Sequence, residues 1–349
     1  MNFSSIVPSR MMLIGMLAAA IPVPQASADV VASTGPYGVL AENVGRGARG
    51  LAFPLIESNL YVGRIEANAS ATLVLSSDSG DPRSALVDAG PAYVEVLDGA
   101  FEGERLDLDV AATLSGNGES IAVSFGNGTH STRGSMPADA LAGARITVRP
   151  HVTLARVQAM LSPALDGSNA PGRADSVLLF ENERFIRYTL RGDGETWVRS
   201  GSNADQRHRV IPPDTSVLID TRQGGRAWVH TGAVRTNAFR KNLVEGEQAF
   251  ASGFPVALSP IDVGGFVDLE TPAKYRWRGA LLFPFADWFE EQGDLVPILG
   301  RIFLQPNGTS WRRLLDLRDV AHQPVLDPTA MFVLRRNNPD PEYLIPVPF

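Results

Sequence analysis

Short runs of alternating apolar and polar residues, cut at spacings of about 8–15 residues by turn signals, constrain this chain most. AYVEVLDG (92–99), SIAVSF (120–125) and ARITVRPHVTL (144–154) alternate with period two, which sets every second side chain on one face of a strand. Ile146 and Val148 fall on one side, and Arg145, Thr147 and Arg149 on the other. LDLDVAATL (106–114) reads the same way. The 33 glycines and 25 prolines follow no collagen-like period and mark turns between such runs. Helical signals are confined to TLARVQAML (153–161) and PFADWFEEQ (284–292). The expected fold is all-β, several small antiparallel β-barrel or sandwich modules with short helices only.

The amino terminus reads as a secretory signal peptide over residues 1–28. Arg10 supplies the positive region, residues 11–24 the apolar segment, and Ala26-Ser27-Ala28 the small-residue cleavage pattern. That apolar stretch is short of the roughly 20 residues a spanning helix needs, so no transmembrane span is expected in the mature chain. Export to the periplasm or the extracellular space follows as an expectation. Residues 29–50 read as a flexible linker. They contain GRGARG (45–50), which has the letters of a dinucleotide fingerprint, but the extended LAFPLI follows instead of a helix.

A repeated order appears beyond residue 170. DSVLLF (175–180), Trp197 and IPPDTSVLID (211–220) find counterparts in DLVPIL (294–299), Trp311 and LDPTAMFVLRR (326–336). Asp175 pairs with Asp294, and Pro213 with Pro328. The expected organisation is an N-terminal β module (51–150), a first repeat module (151–236) and a second (237–349). Trp197 and Trp311 read as sheet-capping core residues, with ligand stacking as the alternative. His208 and His322 fall in matching excursions after the two tryptophans. They read as solvated loop residues, with paired ligand contact as the alternative.

The ordered segments 53–67, 92–108, 144–154 and 175–180, the Trp197 region, 211–220, 226–234, Trp311 and 331–336 together resemble an uncharacterised family of exported, β-rich bacterial proteins. The resemblance implies export and internally repeated Asp…Trp…Pro strand modules, and it supplies no catalytic residues. FIRYTL (185–190) and RIFLQP (301–306) stand where that pattern carries tyrosine-rich strands.

Composition narrows the chemistry. The chain has no cysteine, which excludes disulfides, thiolate metal sites and a thiol nucleophile. Its formal net charge is −7, which argues against a broad nucleic-acid surface. The five histidines show no metal-binding spacing, and neither a G-x-S-x-G elbow nor a phosphate loop occurs. No catalytic residue, cofactor or metal is therefore assigned. The C-terminal YLIPVPF alternates like the last strand of an outer-membrane barrel, but Pro346 and Pro348 fit a sealed barrel poorly. The sequence points to an exported non-catalytic structural or binding protein of the bacterial cell envelope or extracellular space. The sequence specifies no partner, and the candidates are an envelope component or a polysaccharide. The alternative is a secreted carbohydrate-active hydrolase using paired carboxylates, with Asp287, Glu290 and Glu291 beside Trp288 as candidates.

Overall fold

The computed structural model describes residues 36–125, 130–213, 215–243, 245–263, 281–284, 302–304, 310–313, 316–336 and 340–348. The signal segment, 294–299 and the candidate carboxylates at 287–291 lie outside the described residues. The fold is all-β, with three short helices among the described residues.

Strands β1 (Tyr37–Val44) and β2 (Gly47–Ala52) come first, where the sequence suggested a linker. That expectation fails for residues 37–50. β1 pairs along its length with residues 226–233 and β2 with 216–221, so both are sheet strands. Gly45 and Gly47 of GRGARG make the corner between them. Gly47 has a φ of 95°, a left-handed conformation that costs glycine little.

A closed six-stranded barrel follows. Its strands are β3 (Tyr61–Ala69), β4 (Thr72–Leu75), β5 (Ala92–Val96), β6 (Arg105–Leu108), β7 (Ser120–Ser124) and β8 (Arg145–Pro150). They close in the order β3-β4-β7-β6-β5-β8, and closure leaves no open edge. The alternating residues Ile65, Leu73, Val94, Leu106, Ile121 and Ile146 fill its core. Helix α1 (Arg83–Leu86) lies between β4 and β5. Helix α2 (Val110–Ser115) replaces the second half of the strand expected over 106–114. The Asp109 carboxylate accepts from the Ala112 amide at 2.9 Å and caps the helix, so local capping overrides the alternation.

The chain then returns to the sheets begun by β1 and β2. β9 (Val152–Thr153) leads into α3 (Leu154–Ala159), whose first turn is capped by Thr153. Next come β10 (Leu161–Ser162), β11 (Ser176–Glu181), β12 (Arg184–Leu190), β13 (Trp197–Arg199), β14 (Val210–Ile211), β15 (Ser216–Thr221) and β16 (Arg226–Ala233). One sheet runs β13-β12-β11-β15-β2, and the other runs β1-β16-β10. Val44, Leu51, Val177, Trp197, Val217, Ile219 and Trp228 pack in a common core.

The last seven strands repeat this plan. They are β17 (Phe239–Leu243), β18 (Gly246–Phe250), β19 (Leu281–Pro284), β20 (Ile302–Leu304), β21 (Trp311–Arg313), β22 (Phe332–Arg336) and β23 (Asp340–Ile345). Their five-stranded sheet runs β21-β20-β19-β22-β18, the same order with each strand exchanged for its counterpart. β17 pairs with β23 as β1 pairs with β16. Gly246, with φ of 90°, makes the corner that Gly47 makes in the first copy. Ser259 Oγ accepts from the Asp262 amide at 3.2 Å, matching the cap that Thr153 places on α3.

The first copy is therefore discontinuous, built from 37–52 and 152–233. Ala52 and Val152 are separated by the whole barrel, while their counterparts Ala251 and Leu258 are separated by residues 252–257. The strand matching β11 is β19 at 281–284, which corrects the alignment of DSVLLF with DLVPIL. The reason is the connection to the next strand. Asn182 and Glu183 join β11 to β12, whereas residues 285–301 separate β19 from β20. The two five-stranded sheets meet through Leu178 and Leu218 of one and Ala249, Met331 and Val333 of the other.

Candidate functional site

The two Trp–Asp turns are the first place to look for a site. Trp197 opens β13 opposite Leu190, and Trp311 opens β21 opposite Leu304. Eight residues on, an aspartate closes each turn. The Trp197 amide donates to Asp205 Oδ1 at 3.2 Å, and its carbonyl accepts from the Gln206 amide at 2.7 Å. In the second turn the Trp311 carbonyl accepts from the Val320 amide at 2.7 Å, and Asp319 accepts from Ser310 Oγ and the Ala321 amide. For Asp205, burial pushes the carboxyl up, but the amides of Arg207 and Trp197 and the Arg207 side chain outweigh it and hold it below the usual range. Asp319 is held low by the Ser310 hydroxyl and the Ala321 amide.

Both tryptophan side chains are fully buried, so neither presents a ring face to a ligand. The stacking alternative fails on that geometry. The Trp197 indole N–H donates to Gln158 Oε1 at 3.2 Å on α3, the polar partner a buried indole needs. His208 and His322 occupy the same exposed position, three residues beyond each aspartate. The structure places them on matching turns, while the tryptophan rings point into two separate cores.

A second constellation lies where the barrel meets the connector between the copies. Glu95 of β5 is fully buried and bonded by Arg149 Nε at 2.9 Å, by Arg235 and by Asn237. Burial pushes the Glu95 carboxyl up, but the two guanidinium groups outweigh it and hold it low. Nearby, Glu104 pairs with Arg133 at 2.5 Å and with Arg240 at 3.3 Å. Gly103, with φ of 82°, lies against the second copy's first strand. The Arg240 amide donates to its carbonyl at 2.8 Å, and an added Cβ would stand 2.5 Å from Phe239 Cα.

Beside this cluster, His151 Nε2 lies 3.0 Å from Asp107 Oδ1, with the Tyr93 ring 4.8 Å away and the His130 ring 5.9 Å away. The His130 amide also donates to Asp107, at 2.6 Å. Burial raises the Asp107 carboxyl, but these donors and the two imidazoles hold it below its usual value. A carboxylate orienting an imidazole is half of an acid–base site. Here the remaining nitrogen, His151 Nδ1, is buried and has no hydrogen-bond partner among the described residues. Ser131 Oγ is committed to backbone, donating to the Ser124 carbonyl and accepting from the Asp107 amide. Among the described residues no group of three His, Asp or Glu side chains is placed to hold a metal.

Sequence reading missed this constellation because its members stand far apart, at 95, 149 and 235. Alternation put Arg149 on the barrel's outer face, as observed. What the pattern does not carry is that the connector covers that face and buries it. Compared with known proteins, the chain matches no family model, no curated protein and no solved structure.

Proposed function

We propose that this is an exported, non-catalytic structural or binding protein of the bacterial cell envelope or extracellular space. One observation carries the reading. Among the described residues, the side chains that stood out for chemistry serve as internal joints: Trp197 and Trp311 in the repeat cores, and Glu95, Arg149 and Arg235 in the seam between barrel and repeats. The amino-terminal signal pattern supports export, and the repeated module with an inserted barrel supports a scaffold that presents surfaces. Two measurements test this. Fractionation with mass spectrometry is expected to find the native chain outside the cytoplasm, beginning near Asp29. A polysaccharide screen with the purified mature chain is expected to show no turnover. Reproducible hydrolysis abolished by Asp287→Asn or Glu290→Gln would overturn the non-catalytic reading.

A further inference from the structure

The two copies use the outer edge of their first strand differently. In the second copy that edge is occupied. The Arg240 amide and carbonyl of β17 both point outward, the amide to Gly103 O at 2.8 Å and the carbonyl to Arg105 Nη2 at 3.1 Å. By the shared Gly47 and Gly246 corners, Ala41 of β1 takes the place of Arg240. β1 is the edge of its sheet, and its outward backbone groups meet no other strand among the described residues.

Long edge strands are usually protected by lysine, proline, a bulge or a covering segment. β1 has eight residues, pairs without a bulge and contains neither lysine nor proline. Its exposed side chains include Tyr37 at 64% and Val39 at 68%, and Ala41 stands opposite the exposed Val229 of β16. The single charge, Glu42, is paired with Arg49 at 3.3 Å and accepts from Thr329 at 2.9 Å. Two copies of a chain with net charge −7 repel one another over most of their surface. An edge whose one carboxylate is already paired adds little to that repulsion.

We propose that β1 is a homotypic docking strand, along which two copies pair β1 against β1 antiparallel. The sheets β10-β16-β1 of both then join as one continuous sheet. A two-fold axis at Leu40 uses the whole outward row. It sets Val39 opposite the partner's Ala41 and Tyr37 opposite the partner's Asn43, with no like charges facing. Such an isologous contact closes on itself and stops at a dimer. The inference goes beyond the proposed function, and holds or fails whether the chain is a scaffold or an enzyme.

Sedimentation velocity of the purified chain over about 1–100 µM is expected to show a reversible monomer–dimer equilibrium. Ala41→Pro removes the outward amide, and Val39→Lys/Ala41→Lys sets lysine opposite lysine across the axis. Each is expected to raise the dimer dissociation constant by about tenfold or more with an unchanged thermal melt. Val62→Lys, at an exposed valine of the barrel, is expected to leave it unchanged. Because the chain has no cysteine, mixing Val39→Cys with Ala41→Cys protein is expected to give a disulfide-linked dimer on oxidation. A monomer throughout that range, or a dimer indifferent to the double lysine variant, would overturn the proposal.

Discussion

Arg235, in the connector between the two copies, closes on Glu95 of the barrel, and both side chains are almost wholly withdrawn from water. Removing one partner of a buried ion pair costs about 3–5 kcal/mol when the other charge is left uncompensated, and Arg149, at 2.9 Å, keeps Glu95 partly compensated. Arg235→Met is therefore expected to destabilise the protein by less than that full scale in urea titration. The double variant Arg235→Met/Glu95→Gln also takes the carboxylate from the buried Arg149 and is expected to lose more stability than Arg235→Met alone. The Glu95 carboxyl lies below its usual range, so this stabilisation is full above the unfolded carboxyl pKa and declines as pH falls through the folded value. An acid titration in which the wild type and the double variant lose stability in parallel would contradict this.

His230 carries the opposite kind of protonation risk. Its imidazole is fully buried between Phe53 and Trp228, and neither ring nitrogen has a hydrogen-bond partner among the described residues. Burial first, and the charge of Arg156 second, push its pKa down to about 4. A base lowered on folding binds fewer protons in the native state. Its neutral form therefore costs nothing above the unfolded value near 6.5, and stability is lost as pH falls from there towards 4. The loss is expected to approach 3 kcal/mol, at about 1.4 kcal/mol per pH unit. His230→Leu is expected to flatten stability between pH 6.5 and 4, measured by denaturant midpoints.

Gly103 is expected to tolerate no side chain. Its φ of 82° disfavours L residues, and a Cβ would meet the Phe239 backbone at 2.5 Å. Gly103→Ala is expected to separate the barrel seam from β17 while the barrel itself stays closed. Hydrogen exchange reads this as faster exchange at the Arg240 amide with barrel strands still protected. An Arg240 amide protected to the wild-type level would refute it.

Trp197 and Trp311 make equivalent predictions at distant sites. Replacing either by alanine removes a fully buried indole and is expected to cost about 3–5 kcal/mol. The two losses are expected to add to within about half a kcal/mol, because the rings sit in separate cores. Phenylalanine at either position is expected to cost less. Neither change is expected to act through ligand binding, which a titration with soluble polysaccharides checks on the folded Phe variants.

How much of this was legible beforehand depends on whether the signal was local. Val94, Ile146 and Val148 announced barrel strands, because alternation is a property of neighbouring residues. Trp197 and Trp311 announced the repeat, because each is followed at nearly the same spacing by a Pro-led strand, at Pro213 and Pro328. β1 and β2 were not legible, because GRGARG looks like a linker until Thr221 and Arg226, more than 170 positions away, supply partners. A separation of 140 positions hid Glu95 with Arg235 in the same way. The long connection after β19 displaced the match for DSVLLF, since strand pairing preserves order in space and not spacing along the chain.

That insertion leads to the sharpest test of the architecture. The barrel enters the first copy where the second has only residues 252–257, so the repeat pair is expected to be the older folding unit. The ends of the insertion already touch: the Leu60 amide donates to the Val148 carbonyl at 2.8 Å. Leu55 and Ile56 stay with the repeat, where Ile56 bridges to Ala233, so the cut belongs beyond them. Deleting 61–148 and joining Leu60 to Arg149 through about two to four glycine-rich residues spans that gap without strain. The shortened chain loses Glu95 and leaves Arg235 solvated instead of buried and unpaired, which limits the damage at the seam. It is expected to unfold cooperatively, with Trp197 and Trp311 still shielded from fluorescence quenchers. A chain that collapses without a cooperative transition would mean that the barrel is integral to the repeats, and not a guest within the first.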